Sequence, residues 1–455
     1  LIKIGFCSPS YQYIKYYNIA LGHYVFSNLT TGDANIGIGW AALESMTTGA
    51  TNIAIGKQAM QVHTTGQYNI TIGHGAMDDT DAGSTSLGSQ HNIFIGLDAG
   101  GGTWTDVASN QNVAIGNYSM DSALNGASAN TALGLEAMEK NTTGNNNTAV
   151  GAQALESNTT GHWNSSLGTN ALFSNTTGEY NSALGGESLY SNTSGDYNST
   201  FGYRSLYSNT TGQSNSAMGY KSLFSTTTGS NNSGFGLQAL YSNTTGASNS
   251  AIGYNSLFSN TTGVDNIGMG AETLYSNTTG NYNSAAGTST LFNNTTGTGN
   301  SGMGYRALYT NTTGDYNTAT GSNALFSNTT GSYNAAFGYY SLYSNTTGIF
   351  NNAIGPFALS YNTTGTYNSA LGYGALYQNT TGDYNGAVGP YSLFNNTTGS
   401  YNVATGYEAV RHREGDTGSE ENFLELGDER QVLLRFLPPL ASFCPTRGLR
   451  TPAPP

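Results

Sequence analysis

A glycine that returns every 17 residues limits what this chain can fold into more tightly than any other feature. Aligned on the glycine that closes each N-x-A-[LIMFV]-G segment, landmarks fall at Gly5, Gly22, Gly39, Gly56 and Gly73. Gly96, Gly116 and Gly134 follow after steps of 23, 20 and 18, and the 17-residue step then holds without error to Gly406. The 24 landmarks divide the chain into regular coils over 1–73, irregular coils with insertions over 74–134, a strict array over 135–410 and a non-repeating tail over 411–455. A 17-residue unit cannot bury a core alone, so its stability must come from stacking on copies of itself.

Four residues before each landmark except the first stands an asparagine: Asn18, Asn35, Asn52, Asn69, Asn92, Asn112, Asn130, Asn147, Asn164, Asn181, Asn198 and onward to Asn368, Asn385 and Asn402. If successive coils stack at about 4.8 Å, these side chains lie above one another and form an amide ladder. The segments N-I-A-I-G (Asn52 to Gly56) and N-V-A-I-G (Asn112 to Gly116) alternate in hydrophobicity. Period-two reasoning makes Ile53 and Ile55, or Val113 and Ile115, the inner face of a short strand, softened later to Ser182 and Ser369 but retaining Leu184 and Leu371. Four residues after the glycine, Leu172, Leu189, Leu206 and their equivalents to Leu393 form a second apolar rung expected to face inward. The neighbouring Tyr190, Tyr207, Phe224, Tyr241 and Phe258 would then point away as a stripe of stacked rings.

The other side of each coil reads N-T-T-G, a turn in which asparagine bonds to its own backbone and glycine supplies the corner. Two short strands and two corners per coil result, and the fold class is an all-β parallel β-solenoid or flattened β-roll. So narrow a roll encloses little core, which predicts that copies cover one another's apolar stripe around a threefold axis.

The tandem N-[ST]-A-[LI]-G-x-x-[AS]-L pattern resembles the head repeats of trimeric autotransporter adhesins and the similar shaft repeats of phage tail fibres. The resemblance spans about residues 1 to 410. It implies a left-handed β-roll shared by three chains, and a surface that binds host matrix or cell-surface material. The repeat is a few residues longer than the usual head unit, the excess lying in the N-T-T-G half.

Functionally, a formal charge of −13 excludes the basic footprint of a nucleic-acid binder and gives an anionic membrane nothing to attract. No apolar run is long enough to span a bilayer, so no membrane span is expected. Cys7 and Cys444 sit at opposite ends and form no disulfide framework. His23, His63, His74, His91, His162 and His412 fall in different coils without a recurrent nucleophile, so no catalytic site and no cofactor are expected. Asp78, Asp79 and Asp81, with Gly100 to Gly102, Trp104 and Asp106, mark insertions that read as solvated loops on one face, with no metal site.

The triplets at Asn141, Asn158, Asn175, Asn192, Asn209, Asn243, Asn260 and Asn277 have the form of N-glycosylation acceptors, although turn chemistry and a stacked asparagine ladder explain them without sugar. In the tail, six of nine prolines and six of 13 basic residues crowd the last 45 positions. Residues 419–437 there suggest a short amphipathic helix capped by Ser419. The tail reads as a cap, a disordered extension or a sequence-assembly artefact. The functional expectation is an extracellular or virion-surface fibre or adhesin shaft that is not an enzyme, self-associates and meets a carbohydrate or cell-surface receptor. An ice- or polysaccharide-binding solenoid is the alternative, and a β-helical polysaccharide-cleaving enzyme comes third.

Overall fold

A computed structural model describes residues 17–78, 88–104 and 107–410, together with the backbone of 423–426 and 433–435. Cys7, Cys444, His412, Asp79, Asp81 and Asp106 lie outside the described residues. The chain forms two compact units, Leu1–Thr296 and Gly297–Pro455. Both are parallel β-solenoids of 17-residue coils, and no helix occurs among the described residues.

Each coil contributes one three-residue strand. Strands β1 (Ile19–Leu21) to β16 (Ser284–Ala286) belong to the first unit, and β17 (Ser301–Met303) to β23 (Val403–Thr405) belong to the second. Neighbouring strands pair in parallel with equivalent residues opposite one another, as Ser182 with Ser199 and Leu184 with Phe201. The insertions leave this register intact, since Ile70 still pairs with Ile93 and Ile93 with Val113. Extra residues are accommodated outside the ladder.

The opposite side of the coil is not a second strand, contrary to the two-stranded expectation. Residues two and four places after the corner glycine adopt left-handed backbone, for example Glu187 at φ 53° and Leu189 at φ 52°, which interrupts any extended run. Instead of a one-to-one ladder, a single carbonyl gathers several donors: Thr193 O accepts from the N–H groups of Thr176, Thr177 and Gly178 at 3.0, 3.1 and 3.4 Å. The left-handed requirement also explains why the inner apolar rung is leucine or methionine in nearly every coil. A branched β-carbon is strongly disfavoured at positive φ, whereas Leu43, Met60, Met138 and Leu172 are tolerated there.

The corner glycines are fixed by contact as well as by conformation. Gly56 has φ +145°, and a β-carbon on it would sit 2.1 Å from the carbonyl oxygen of Gly73 in the next coil. No other residue can occupy that column without separating the coils.

The strand face is the reverse of the one alternation suggested. The middle residue, such as Ala54 or Ala114, is fully buried, while Ile53, Ile55, Val113 and Ile115 on either side are directed outward. The interior is too narrow for a second large side chain opposite the leucine rung: a β-carbon on Gly37 would come 2.6 Å from Val25. Leu172 and Leu189 do face inward and are fully buried. One coil exchanges the volumes. Phe94 stands where other coils carry a small residue, opposite Gly100 in place of the leucine, and packs edge-on against buried Trp104 at 5.9 Å.

In the second unit, β23 pairs in parallel with β24 (Phe423–Leu426), which pairs antiparallel with β25 (Leu433–Arg435). Strands therefore stand at 423–426 and 433–435, within the span 419–437 where the sequence suggested a helix; the rest of that span, Ser419 included, lies outside the described residues. A helix over the whole span would have to run through Gly427, a poor helix former.

Candidate interaction surface

Two asparagine ladders occupy the interior. In the first, the backbone N–H of Asn52 donates to Asn35 Oδ1 at 2.9 Å, and its Nδ2 donates to the same oxygen at 3.1 Å and to the Gly66 carbonyl at 2.8 Å. The pattern repeats through Asn69, Asn92, Asn112, Asn130, Asn147, Asn164, Asn181 and Asn198 in the first unit, with the side-chain rung at Asn147 and Asn181 replaced by the backbone donor alone. In the second unit it links Asn368, Asn385 and Asn402. All are buried.

The second ladder consists of the N-T-T-G asparagines. Asn158 Nδ2 donates to Asn141 Oδ1 at 2.8 Å and to the Gly161 carbonyl at 3.1 Å, and Asn175, Asn192 and Asn209 repeat the arrangement. Asn260 and Asn277 continue it beyond Asn243. This geometry argues against the acceptor reading of these sequons. The nitrogen that would carry a glycan is buried, and both its hydrogens are engaged inside the coil. Sequence reasoning offered turn chemistry and a stacked asparagine ladder as the sugar-free account of the triplet, and its recurrence at coil spacing is the signal of the internal column seen here.

Outside, three kinds of side chain repeat. The residue before the corner glycine forms an apolar column, including Leu133, Leu167, Phe201, Met218, Ile252 and Met269 in the first unit and Met303, Phe337, Ile354, Leu371 and Val388 in the second. These side chains are exposed, and Phe201, Met218 and Phe235 border a shallow groove floored by Ala217. A half-buried ring column runs beside the leucine rung, Phe173 through Tyr190, Tyr207 and Phe224 to Phe292, with parallel rings 5.0–5.3 Å apart. Arg204 lies over Tyr203 and Tyr207 while pairing with Glu187 at 2.8 Å, so one of the few cations is held against the rings.

Threonines divide by role. The first of each pair turns its hydroxyl onto the next coil, as Thr159 Oγ1 to Thr176 O at 3.0 Å, and only the second, such as Thr160 or Thr177, faces solvent.

The irregular coils bring carboxylates together. Burial, with Asp98, Glu139 and Asp78 nearby, pushes Asp121 up to about 7. His63 is wholly enclosed, its Nε2 3.1 Å from Ser89 O, and burial lowers its pKa to about 4. His162 Nδ1 accepts from the Asn145 N–H at 2.9 Å. Among the described residues no group of three metal-binding side chains converges, and no helix is long and apolar enough to cross a membrane. No protein-family model matches the chain, and no curated protein shows significant similarity to it.

Proposed function

We propose that this chain is the shaft of an extracellular structural fibre or adhesin, at a cell or virion surface, whose left-handed rolls associate as a homotrimer and which performs no catalysis. The observation that carries the reading is the outward apolar column beside the corner glycine. A side chain such as Phe201, 54% exposed, recurs in coil after coil on a backbone with very few charges. A recurrent apolar strip of this kind, interrupted at Thr320 and Thr405, is a recognised interaction feature, and identical copies present complementary strips in identical register.

Sedimentation equilibrium, with electron microscopy for mass per unit length, tests this. The wild type should contain three chains per particle, and Leu167→Lys with Ile252→Lys and Leu371→Lys should release single chains with unchanged circular dichroism. A wild type that stays monomeric at micromolar concentration overturns the trimer.

Binding to a periodic surface is the second reading. An ice-binding array needs several hydroxyl columns side by side, and here one of the two threonines is committed to an internal bond in most coils. Thermal-hysteresis measurements should accordingly show no activity. An activity screen on soluble polysaccharides tests the third reading, a β-helical lyase or hydrolase.

A further inference from the structure

An outer ring column runs one residue before the first asparagine ladder, and it is interrupted. Trp163, Tyr180 and Tyr197 occupy consecutive coils, with Tyr180 and Tyr197 stacked at 5.1 Å and 4°. The next four coils place Ser214, Asn231, Ser248 and Asp265 at the same position, and a ring returns at Tyr282. All six residues from Tyr197 to Tyr282 share one left-handed conformation, with φ between 54° and 60°. The interruption is therefore of rings and not of backbone.

At an average coil spacing of about 4.8 Å, the opening between Tyr197 and Tyr282 spans about 24 Å along the stack. Its floor is polar and uncommitted. Ser214, Asn231, Ser248 and Asp265 are exposed, and none of these side chains hydrogen-bonds within the protein among the described residues. Thr211, Thr228, Thr245 and Thr262 add exposed hydroxyls along one side. The rings at its ends differ from those inside a stack. Tyr197 and Tyr282 are 60% and 63% exposed, against 46% for Tyr180 and 45% for Tyr367, because Tyr197 stacks on a ring on one side only and Tyr282 stacks on none among the described residues.

An in-register stack hides its own π-faces, so a long tyrosine column offers a ligand only ring edges and hydroxyls. The ends of the interrupted column are where a flat ligand can stack. A pyranose ring has an apolar C–H face for the aromatic ring and a rim of hydroxyls for serine, asparagine and aspartate groups.

We propose that this opening is a carbohydrate-binding site for a neutral oligosaccharide, whose pyranose C–H faces meet the uncovered tyrosine faces at its two ends. One ring stacks on Tyr197 and another on Tyr282, and the sugar hydroxyls bond to Ser214, Asn231, Ser248 and Asp265. The site rests on the adhesin reading and supplies its receptor class. Its location predicts discrete binding in the C-terminal third of the first unit instead of uniform coating of every coil.

Two variants separate site from scaffold. Tyr197→Ala with Tyr282→Ala removes both stacking faces. Ser214→Tyr, Asn231→Tyr, Ser248→Tyr and Asp265→Tyr together continue the ring column on backbone already in the tyrosine conformation. Binding of the full chain to cellohexaose, chitohexaose and mannohexaose is measured by titration calorimetry, with Tyr367→Ala as control. At least one probe should bind the wild type and the control equally, and each opening variant should weaken that binding at least about tenfold. No binding of any probe, or binding unchanged in both variants, overturns the site. Mass per unit length of the same samples reports on the shaft separately, so a trimeric rod that binds no glycan sinks this proposal and leaves the shaft standing.

Discussion

Replacing Thr226 by asparagine should make the protein more stable, because the second asparagine ladder has one broken rung. Every other coil from Asn141 to Asn294 in the first unit supplies an amide there, with Nδ2 to Oδ1 distances of 2.8–2.9 Å. At Thr226 the Nδ2 of Asn243 finds only a hydroxyl at 3.4 Å, and Asn209 Oδ1 is left buried without a partner. An orphaned buried acceptor costs about 1–3 kcal/mol, and a well-made hydrogen bond contributes about 0.5–1.5 kcal/mol net. Asparagine and threonine differ little in volume, so Thr226→Asn should give about 2 kcal/mol without overpacking.

A stack of coils need not unfold in one step, so a single melting temperature is a poor readout. Hydrogen exchange resolved by peptide reports the local opening free energy instead. Amides of coils 202–252 should exchange about 30-fold more slowly in the variant, the equivalent of about 2 kcal/mol, while those near Asn158 stay unchanged. Asn175→Thr, the same exchange made in an intact part of the ladder, should cost a similar amount. Protection that does not rise in Thr226→Asn, or that survives Asn175→Thr, would refute the ladder as a source of stability.

Other outcomes follow from the same geometry. Expressed in a host that glycosylates N-x-T sequons, the folded chain should carry no glycan at Asn158 and its equivalents in peptide mapping by mass spectrometry, since those side chains are internal, whereas the exposed Asn28 sequon is open to modification. Ala251→Leu should destabilise its coil by about 1–3 kcal/mol, whereas Ile252→Ser next to it should leave hydrogen exchange unchanged and weaken only self-association. His63 is held neutral by burial with its pKa near 4 against 6.5 when free, so the unfolded chain takes up the proton first. The coils around it should keep full stability above pH 6.5, lose up to about 3 kcal/mol between pH 6.5 and 4, and change no further below. His63→Met, which copies Met46 at the same place one coil earlier, should abolish that slope in exchange measured against pH. Asp121 acts with the opposite sign. Its pKa is raised to about 7, so its neighbourhood loses stability as pH rises from 3.8 towards 7, and Asp121→Asn should remove the loss.

Periodicity makes the stacking legible in the sequence, because identity at a fixed spacing is what a parallel in-register ladder demands. Asn52 and Asn69 align by eye, and the insertions near Gly96 and Gly116 are recognisable as departures that spare the asparagines. The direction in which side chains point was not legible. Alternation in N-I-A-I-G says that Ile53 and Ile55 share a face, but not which face is inside. Hydrophobicity suggested the isoleucines; volume decided for Ala54, since a leucine rung already fills the narrow interior. The readable clue was variance. Ala54, Ala114, Ala183 and Ala251 stay small along the chain, while their neighbours range from serine to phenylalanine.

That inversion changes what the repeats are for. Had the isoleucines been inside, each coil would be self-contained, and the surface would consist of serine, threonine and tyrosine with no reason to associate. With alanine, the leucine rung and amides inside, the core is held by hydrogen bonds, close glycine contacts and one apolar column, and the other large apolar side chains of the strand are left outside. Such a chain has put its hydrogen bonds where copies cannot reach them and its apolar surface where they can. Cohesion within one chain and cohesion between chains thus become separable properties. Interior substitutions such as Asn175→Thr should loosen coils without altering how many chains a particle contains, and Leu167→Lys should do the converse. A Leu167→Lys chain whose coils exchange as fast as the unfolded protein would show that the two are not separable, and that the roll cannot stand without its partners.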